Sequence, residues 1–209
     1  MLISQIFNNF RFDYFYIYPF LFYILDIIKL ILKKVNNSMH FKIKVIIIGE
    51  AGVGKTSLVK KFISGQFSSD YRASIGTNMF IKEIEVYSND KIDKISIHLW
   101  DIAGQERWIK MRNIYYTGTQ AALIVGDMSR KRTFEQIEKF WYPDLINHCG
   151  HIPFILVANK TDLNHEISEK EVEFLGKELD AVSVLYASAK TGKNVENAFK
   201  SISKKAIQL

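Results

Sequence analysis

The sequence predicts a doubly wound α/β fold, a mostly parallel sheet with helices on both faces. Three observations predict it. Short continuous apolar runs recur along the chain, as strands buried on both faces require. Helical patterns separate these runs, and such alternation gives parallel pairing through crossover connections. A glycine-rich loop leaves the first run and opens the first helical stretch, where sheets of this class bind ligands.

The elements follow in order. Val45–Ile48 is the first apolar run and ends at Gly49. Lys55–Ile63 reads as the helix after the loop. Ile95, Ile97 and Leu99 alternate with Ser96, His98 and Trp100, the period of a strand. Ala121–Val125 and Phe154–Val157 are two more buried-strand runs, with a helix over Phe134–His148 between them. Ser168–Leu179 reads as a helix, and Ser168 with Glu171 three residues on forms a capping-box pattern. Val182–Ala187 is a last strand and Val195–Gln208 a last helix.

Composition bounds the function. The 209 residues suffice for one medium domain with a core and are too few for two full ones. With 48% hydrophobic and 24% charged residues, a disordered chain, a collagen and a coiled-coil rod are excluded. The 1 Cys, Cys149, permits no internal disulfide and no cysteine-built zinc site, and reads as ordinary packing. The net charge of +6 admits an anionic partner. Lys far outnumbers Arg, however, and Ile, Asn, Phe and Tyr abound, as an AT-rich genome would produce. No RNA-recognition or zinc-finger pattern occurs, so no nucleic-acid partner is expected.

Three motifs carry chemistry. Gly49-Glu-Ala-Gly-Val-Gly-Lys-Thr56 fits G-x-x-x-x-G-K-[ST] between a strand and a helix, its required context. Backbone N–H groups of such a loop, with the helix N-terminus, bind phosphate oxygens. Lys55 is placed to reach the β- and γ-phosphates, and the Thr56 hydroxyl to ligate Mg²⁺. Asn159-Lys-Thr-Asp162 follows the run Phe154–Val157. An Asp162 carboxylate can accept from both N1–H and the 2-amino group of guanine, a pair adenine lacks. Asn159 would bind the base edge and tie loops together, and the Lys160 stem would pack on the base. Trp100-Asp-Ile-Ala-Gly-Gln-Glu-Arg-Trp108 follows the strand ending at Leu99. There Asp101 would hold Mg²⁺ through a water, the Gly104 N–H would contact the γ-phosphate, and Gln105 would orient the attacking water.

With these residues the chain resembles the Ras superfamily of small GTPases, and within it the Rab branch. Trp100–Arg107, Tyr115-Tyr116-x-Gly118, Asn159–Leu163 and Ser188-Ala-Lys-Thr-Gly192 carry the resemblance, over about residues 41–207. The Arf branch usually has a second Gly where Ala103 stands. The resemblance implies a P-loop NTPase fold with a six-stranded sheet, and a Rab-like switch that binds GTP or GDP with Mg²⁺ and slowly hydrolyses GTP. It implies nucleotide contacts from Gly49, Ala51, Gly52, Val53, Gly54, Lys55, Thr56 and Ser57. It adds Ser188, Ala189 and Lys190, with the Ala189 N–H donating to the base. Lys55 and Gln105 are the catalytic residues, and Thr56, Ser74 and Asp101 the metal residues, that it implies.

It also places a switch loop at Gln66 to about Met79. Phe67 falls where an aromatic packs edge-on against guanine; the alternative is a core residue. Tyr71-Arg-Ala-Ser-Ile-Gly76 looks like Rab's Tyr-x-x-Thr-Ile-Gly, with Ser74 in place of the family's threonine and Thr77 as the other reading. Serine keeps the ligating hydroxyl but loses the methyl that stiffens χ1. Ala51 stands where many relatives have Gly, and its methyl could slow hydrolysis. Arg72 is read as a solvated loop residue, the alternative being an arginine finger in cis. The alternative function is a nucleotide-binding scaffold with little hydrolysis. Expected partners are an exchange factor, a GTPase-activating protein and effectors, around a monomer. The final Lys204–Leu209 holds no Cys, so no prenyl anchor is expected there.

Residues 1–38 form a hydrophobic extension, and residues 39–209 the GTPase domain. The extension carries +2 of the charge, and Tyr14–Leu25 is uncharged and nearly all apolar, interrupted by Pro19. Three readings remain: a membrane-associated segment, a start-site artefact with Met39 as the true start, or an extra helix packed on the domain. The uncharged run is shorter than the roughly 20 residues a span needs. The expected location is cytoplasmic, or the cytoplasmic face of a membrane.

Overall fold

The computed structural model describes residues 23–29, 40–67, 77–88, 91–102 and 112–208. Ser74, Gly104 and Gln105, with Arg72 and most of the extension, lie outside the described residues. The chain divides into two compact units, Met1–Met39 with Tyr87–Asp93, and His40–Val86 with Lys94–Leu209. In the smaller unit, residues 23–29 form helix α1. Its Tyr23, Ile24, Leu25, Ile27 and Ile28 are all exposed, and Asp26 pairs with Lys29 at 3.8 Å.

The sheet has six strands: β1 (His40–Ile48), β2 (Thr77–Ser88), β3 (Lys91–Ile102), β4 (Ala121–Asp127), β5 (Phe154–Asn159) and β6 (Ser183–Tyr186). Their order is β2-β3-β1-β4-β5-β6. β1 pairs in parallel with β3 and with β4, β4 with β5, and β5 with β6. Two residues separate β2 from its neighbour β3, a connection only antiparallel strands can use. The chain order reverses on either side of β1. Sheets of this class bind ligands in the crevice that such a reversal leaves at the carboxyl ends of the strands, here those of β1 and β4.

Alternation along β1 fills both faces. Ile43, Val45 and Ile47 join one core with Leu58, Val59 and Phe62 of α2 (Lys55–Ser64) and Phe199 and Ile202 of α7 (Val195–Ala206). Phe62 and Phe199 stack there at 4.2 Å. Ile46 and Ile48 face the other core, with Tyr116 of α3 (Arg112–Tyr116) and Val172 of α6 (Glu169–Glu178). That core also takes Phe134 of α4 (Arg132–Gln136), Trp141 of the π-helical turn Ile137–Trp141, and Leu145 of α5 (Tyr142–Cys149).

Three elements differ from the sequence expectation. The helix expected over Phe134–His148 is α4, a π turn and α5 in succession. Pro143 has no N–H to donate, and the ladder widens just before it. β2 begins at Thr77, inside the segment assigned to the switch loop. Its inward Ile84 and Val86 alternate with outward Glu83 and Glu85, a half-buried edge pattern rather than an apolar run. α3 has only five residues, too few for a period to show.

Candidate nucleotide-binding site

Chemistry-bearing residues collect at the carboxyl edge of the sheet. Gly49 follows β1, Asp101 nears the end of β3, Asp127 and Asn159 end β4 and β5, and Ser188 follows β6. The backbone shapes the glycine-rich loop closely. A Cβ on Gly54 would lie 2.4 Å from Asn159 Nδ2, and φ there is 98°, so the position requires glycine. Gly54 is also the N-cap of α2; no side chain caps this end and no acid lies in the first turn. The N-terminal end of α2 thus opens onto the loop with no acid in its first turn, as an anion site needs.

Lys55 is 6% exposed, and its ammonium donates to the carbonyls of Gly49 at 2.7 Å and Glu50 at 2.9 Å. Burial pulls it down to about 8, although the nearby Asp101 and Glu50 charges hold it up. A buried cation so placed is short of counter-charge, and a phosphate would supply it. Beside it, Thr56 Oγ1 donates to Asp101 Oδ2 at 2.5 Å. Asp101 is fully buried, and its Oδ1 has no hydrogen-bond partner. Burial raises its carboxyl, which the Thr56 hydrogen bond, the Lys55 charge and a hydrogen bond from Asn78 offset in part. An orphaned buried carboxylate oxygen next to a hydroxyl suits a hard divalent cation. Thr77 Oγ1 is also buried without a partner.

The other end of this edge gathers Asn159, Asp162 and Ser188. Asn159 is 1% exposed; its Nδ2 donates to the Val53 carbonyl at 2.8 Å, and its Oδ1 accepts from the Ala189 N–H at 3.2 Å. One amide thus joins the phosphate loop to the loop after β6. Asp162 Oδ1 accepts from Ser188 Oγ at 2.6 Å, and Lys190 Nζ stands 3.9 Å from Oδ2. Ser188 Oγ also accepts from the Thr191 N–H at 3.1 Å. Lys160, at φ 64°, turns its ammonium onto Asp127 Oδ2 at 2.7 Å. Phe67 is 39% exposed and lies in neither core.

The structure adds Asp127, which the motifs did not single out. It is fully buried and binds Lys160, Ser129 and Arg130. Burial would raise its carboxyl, but those hydrogen bonds outweigh it and hold it below the ordinary range. A carboxylate ending a buried parallel strand was the available signal.

A doubly wound sheet with a phosphate loop at its switch point and an Asn/Asp pair at the neighbouring strand end defines a P-loop nucleotide-binding protein. A family model described as "Ras family" matches residues 44–208. The Ypt/Rab-type GTPase YPT7 of Saccharomyces cerevisiae is 34% identical, over 79% of this chain and 82% of that relative. Ras-related protein Rab7 of Drosophila melanogaster is 33% identical, over 80% and 81%. Ras-related protein Rab-32 of Homo sapiens is 40% identical, over 74% and 70%. The chain belongs to the Ras family of GTP-hydrolysing switches, as a Rab-like small GTPase.

Proposed function

We propose that the crevice described above is the GTP/GDP site of this switch, with the phosphates in the loop 49–57 and guanine between Asn159–Asp162 and Ser188–Lys190. The Asn159 amide carries this reading, because it links Val53 of the phosphate loop to Ala189 of the base loop. A nucleotide lying along that link meets Lys55 at one end and Asp162 at the other. Thr56 and Asp101, with Ser74, would hold Mg²⁺, which when bound supplies charge neutralisation at the β- and γ-phosphates. Such an ion takes few carboxylates and relies on phosphate and water, in keeping with the single Asp101 beside Thr56. Gln105 would orient the attacking water, Lys55 would stabilise charge developing on the transferred phosphoryl, and Phe67 would pack on the base.

Competition binding tests the pocket. GTP and GDP should displace a fluorescent guanine nucleotide, while ATP at equal concentration should not. Single-turnover hydrolysis then tests the chemistry: Gln105→Leu should keep affinity and slow the rate. Wild-type rates in that variant would remove Gln105 from the mechanism.

The same proposal gives residues 1–38 a role at a lipid surface. Five exposed apolar side chains on α1 support it. Among the described residues no helix is long and apolar enough to cross a membrane. Exchange factor, activating protein and effectors would act on the nucleotide state, and the protein would work on a cytoplasmic membrane face.

A further inference from the structure

Arg130, Lys131 and Arg132 are three consecutive cations after β4, and such a run usually reads as solvated basic surface. Here each has its own carboxylate. Arg130 Nε lies 2.8 Å from Asp127 Oδ2, Lys131 Nζ 2.7 Å from Glu171 Oε1, and Arg132 Nη2 2.9 Å from Glu50 Oε1. Arg130 makes a further contact. Its Nη2 donates to the Ala51 carbonyl at 3.2 Å, 79 residues away in sequence. Two arginines therefore reach adjacent residues of the phosphate loop from outside it.

We propose that Arg130 and Arg132 form a clasp that holds the outer half of the phosphate loop in its binding shape and so slows nucleotide release. The inference rests on loop 49–57 holding the phosphates.

The anchor of the clasp is rigid. Asp127 has 0% side-chain exposure, and it accepts from the Ser129 N–H and hydroxyl as well as from Lys160 and Arg130. Arg130 thereby completes a chain from the base loop to the phosphate loop: Lys160, Asp127, Arg130, Ala51. Asn159 holds Val53, deeper in the same loop. Among the described residues, Arg130 and Arg132 are the side chains that tie residues 50 and 51 from outside the loop.

Release requires the loop N–H groups to part from the phosphates. A loop held from behind in the bound shape opens less often and loses less entropy on binding. Changes of this kind appear mainly in the dissociation rate. The two arginines carry unequal weight. Arg132 is 76% exposed, and an exposed pair is weak and screened by salt. Arg130 forks between a buried carboxylate and a carbonyl through two different nitrogens, Nε and Nη2, a fixed planar geometry that a compact ammonium does not reproduce.

The test is dissociation of a fluorescent N-methylanthraniloyl-GDP from the full chain, chased with excess GDP. Arg130→Ala should speed release about tenfold. Arg132→Ala should speed it about twofold at low salt and not at high salt. Arg130→Lys should keep the charge beside Asp127, and so the fold, yet release nearly as fast as the alanine variant. Hydrogen exchange supplies the second readout: in the GDP-bound Arg130 variants, residues 50–53 should exchange faster while β5 and α7 are unchanged. Release from Arg130→Ala within twofold of wild type overturns the clasp, as does full restoration by lysine. A wild-type chain that binds no guanine nucleotide would instead overturn the site reading and take the clasp with it.

Discussion

At Gly54 the loop backbone passes so close to Asn159 that one added methyl decides binding. Gly54→Ala should abolish nucleotide binding in equilibrium titration, because its Cβ would sit 2.4 Å from the Asn159 amide at a φ of 98°. At Asp162 the proposed role is selective rather than steric. Its carboxylate, held by Ser188, would offer two acceptors to a base edge with two donors. Asp162→Asn should weaken GTP binding by about 2–3 kcal/mol, roughly a hundredfold, and shift preference toward xanthine nucleotides, whose 2-oxo group needs a donor. Unchanged competition curves against GTP and xanthosine triphosphate would remove Asp162 from base recognition. Both residues were legible in the sequence, since each belongs to a short motif. Asp127 and the Arg130 bridge were not, because the distant partners that join them to the site, Lys160 and Ala51, follow other strands.

At the scale of elements, α6 shows how a helix start is stabilised and how that depends on pH. Ser168 Oγ accepts from the Glu171 N–H, and the Glu171 carboxylate accepts from the Ser168 N–H, the capping box expected from sequence. Ser168→Ala should cost about 1 kcal/mol in denaturant unfolding. The structure adds Lys131, whose hydrogen bond, with those of Ser168, holds the Glu171 carboxyl down to about 2 from its ordinary 4.5. A carboxyl depressed by folding stabilises above its unfolded pKa and loses that effect as pH falls through the folded one. The melting difference between wild type and Glu171→Gln should therefore be full at pH 7 and shrink as pH falls from 4.5 toward 2. A difference that stays constant to pH 2 would show that charge plays no part. Beside this, the π turn before Pro143 was invisible in the apolar spacing, since widening a turn by one residue leaves the buried face nearly intact.

The whole molecule rests on two cores, one on each face of the sheet. Phe199 of α7 stacks on Phe62 of α2, so the last helix holds the phosphate-binding helix against the sheet. Phe199→Ala should lower stability by about 3–5 kcal/mol in denaturant unfolding, and nucleotide affinity should fall with it. The extension is tested at this scale too. Residues 39–209 should fold and bind GTP alone, while only the full chain should float with anionic liposomes. If neither floats, the exposed apolar face of α1 does not serve a lipid surface.

The fold class, the strand runs of β1, β4 and β5, the phosphate loop and the base motif can all be read from local sequence. Each of these is local: a parallel strand buried on both faces must be apolar throughout, and a phosphate cradle must be built from consecutive backbone groups. Tertiary structure alone decided how the motifs are joined. The bond from Asn159 to Val53 spans 106 residues, and those from Arg130 and Arg132 to the loop span 79 and 82. No local periodicity encodes such contacts. They exist because parallel pairing brings the carboxyl ends of β1, β4 and β5 to one edge, where a run of charges that reads as surface reaches residues 50 and 51 of the loop after β1.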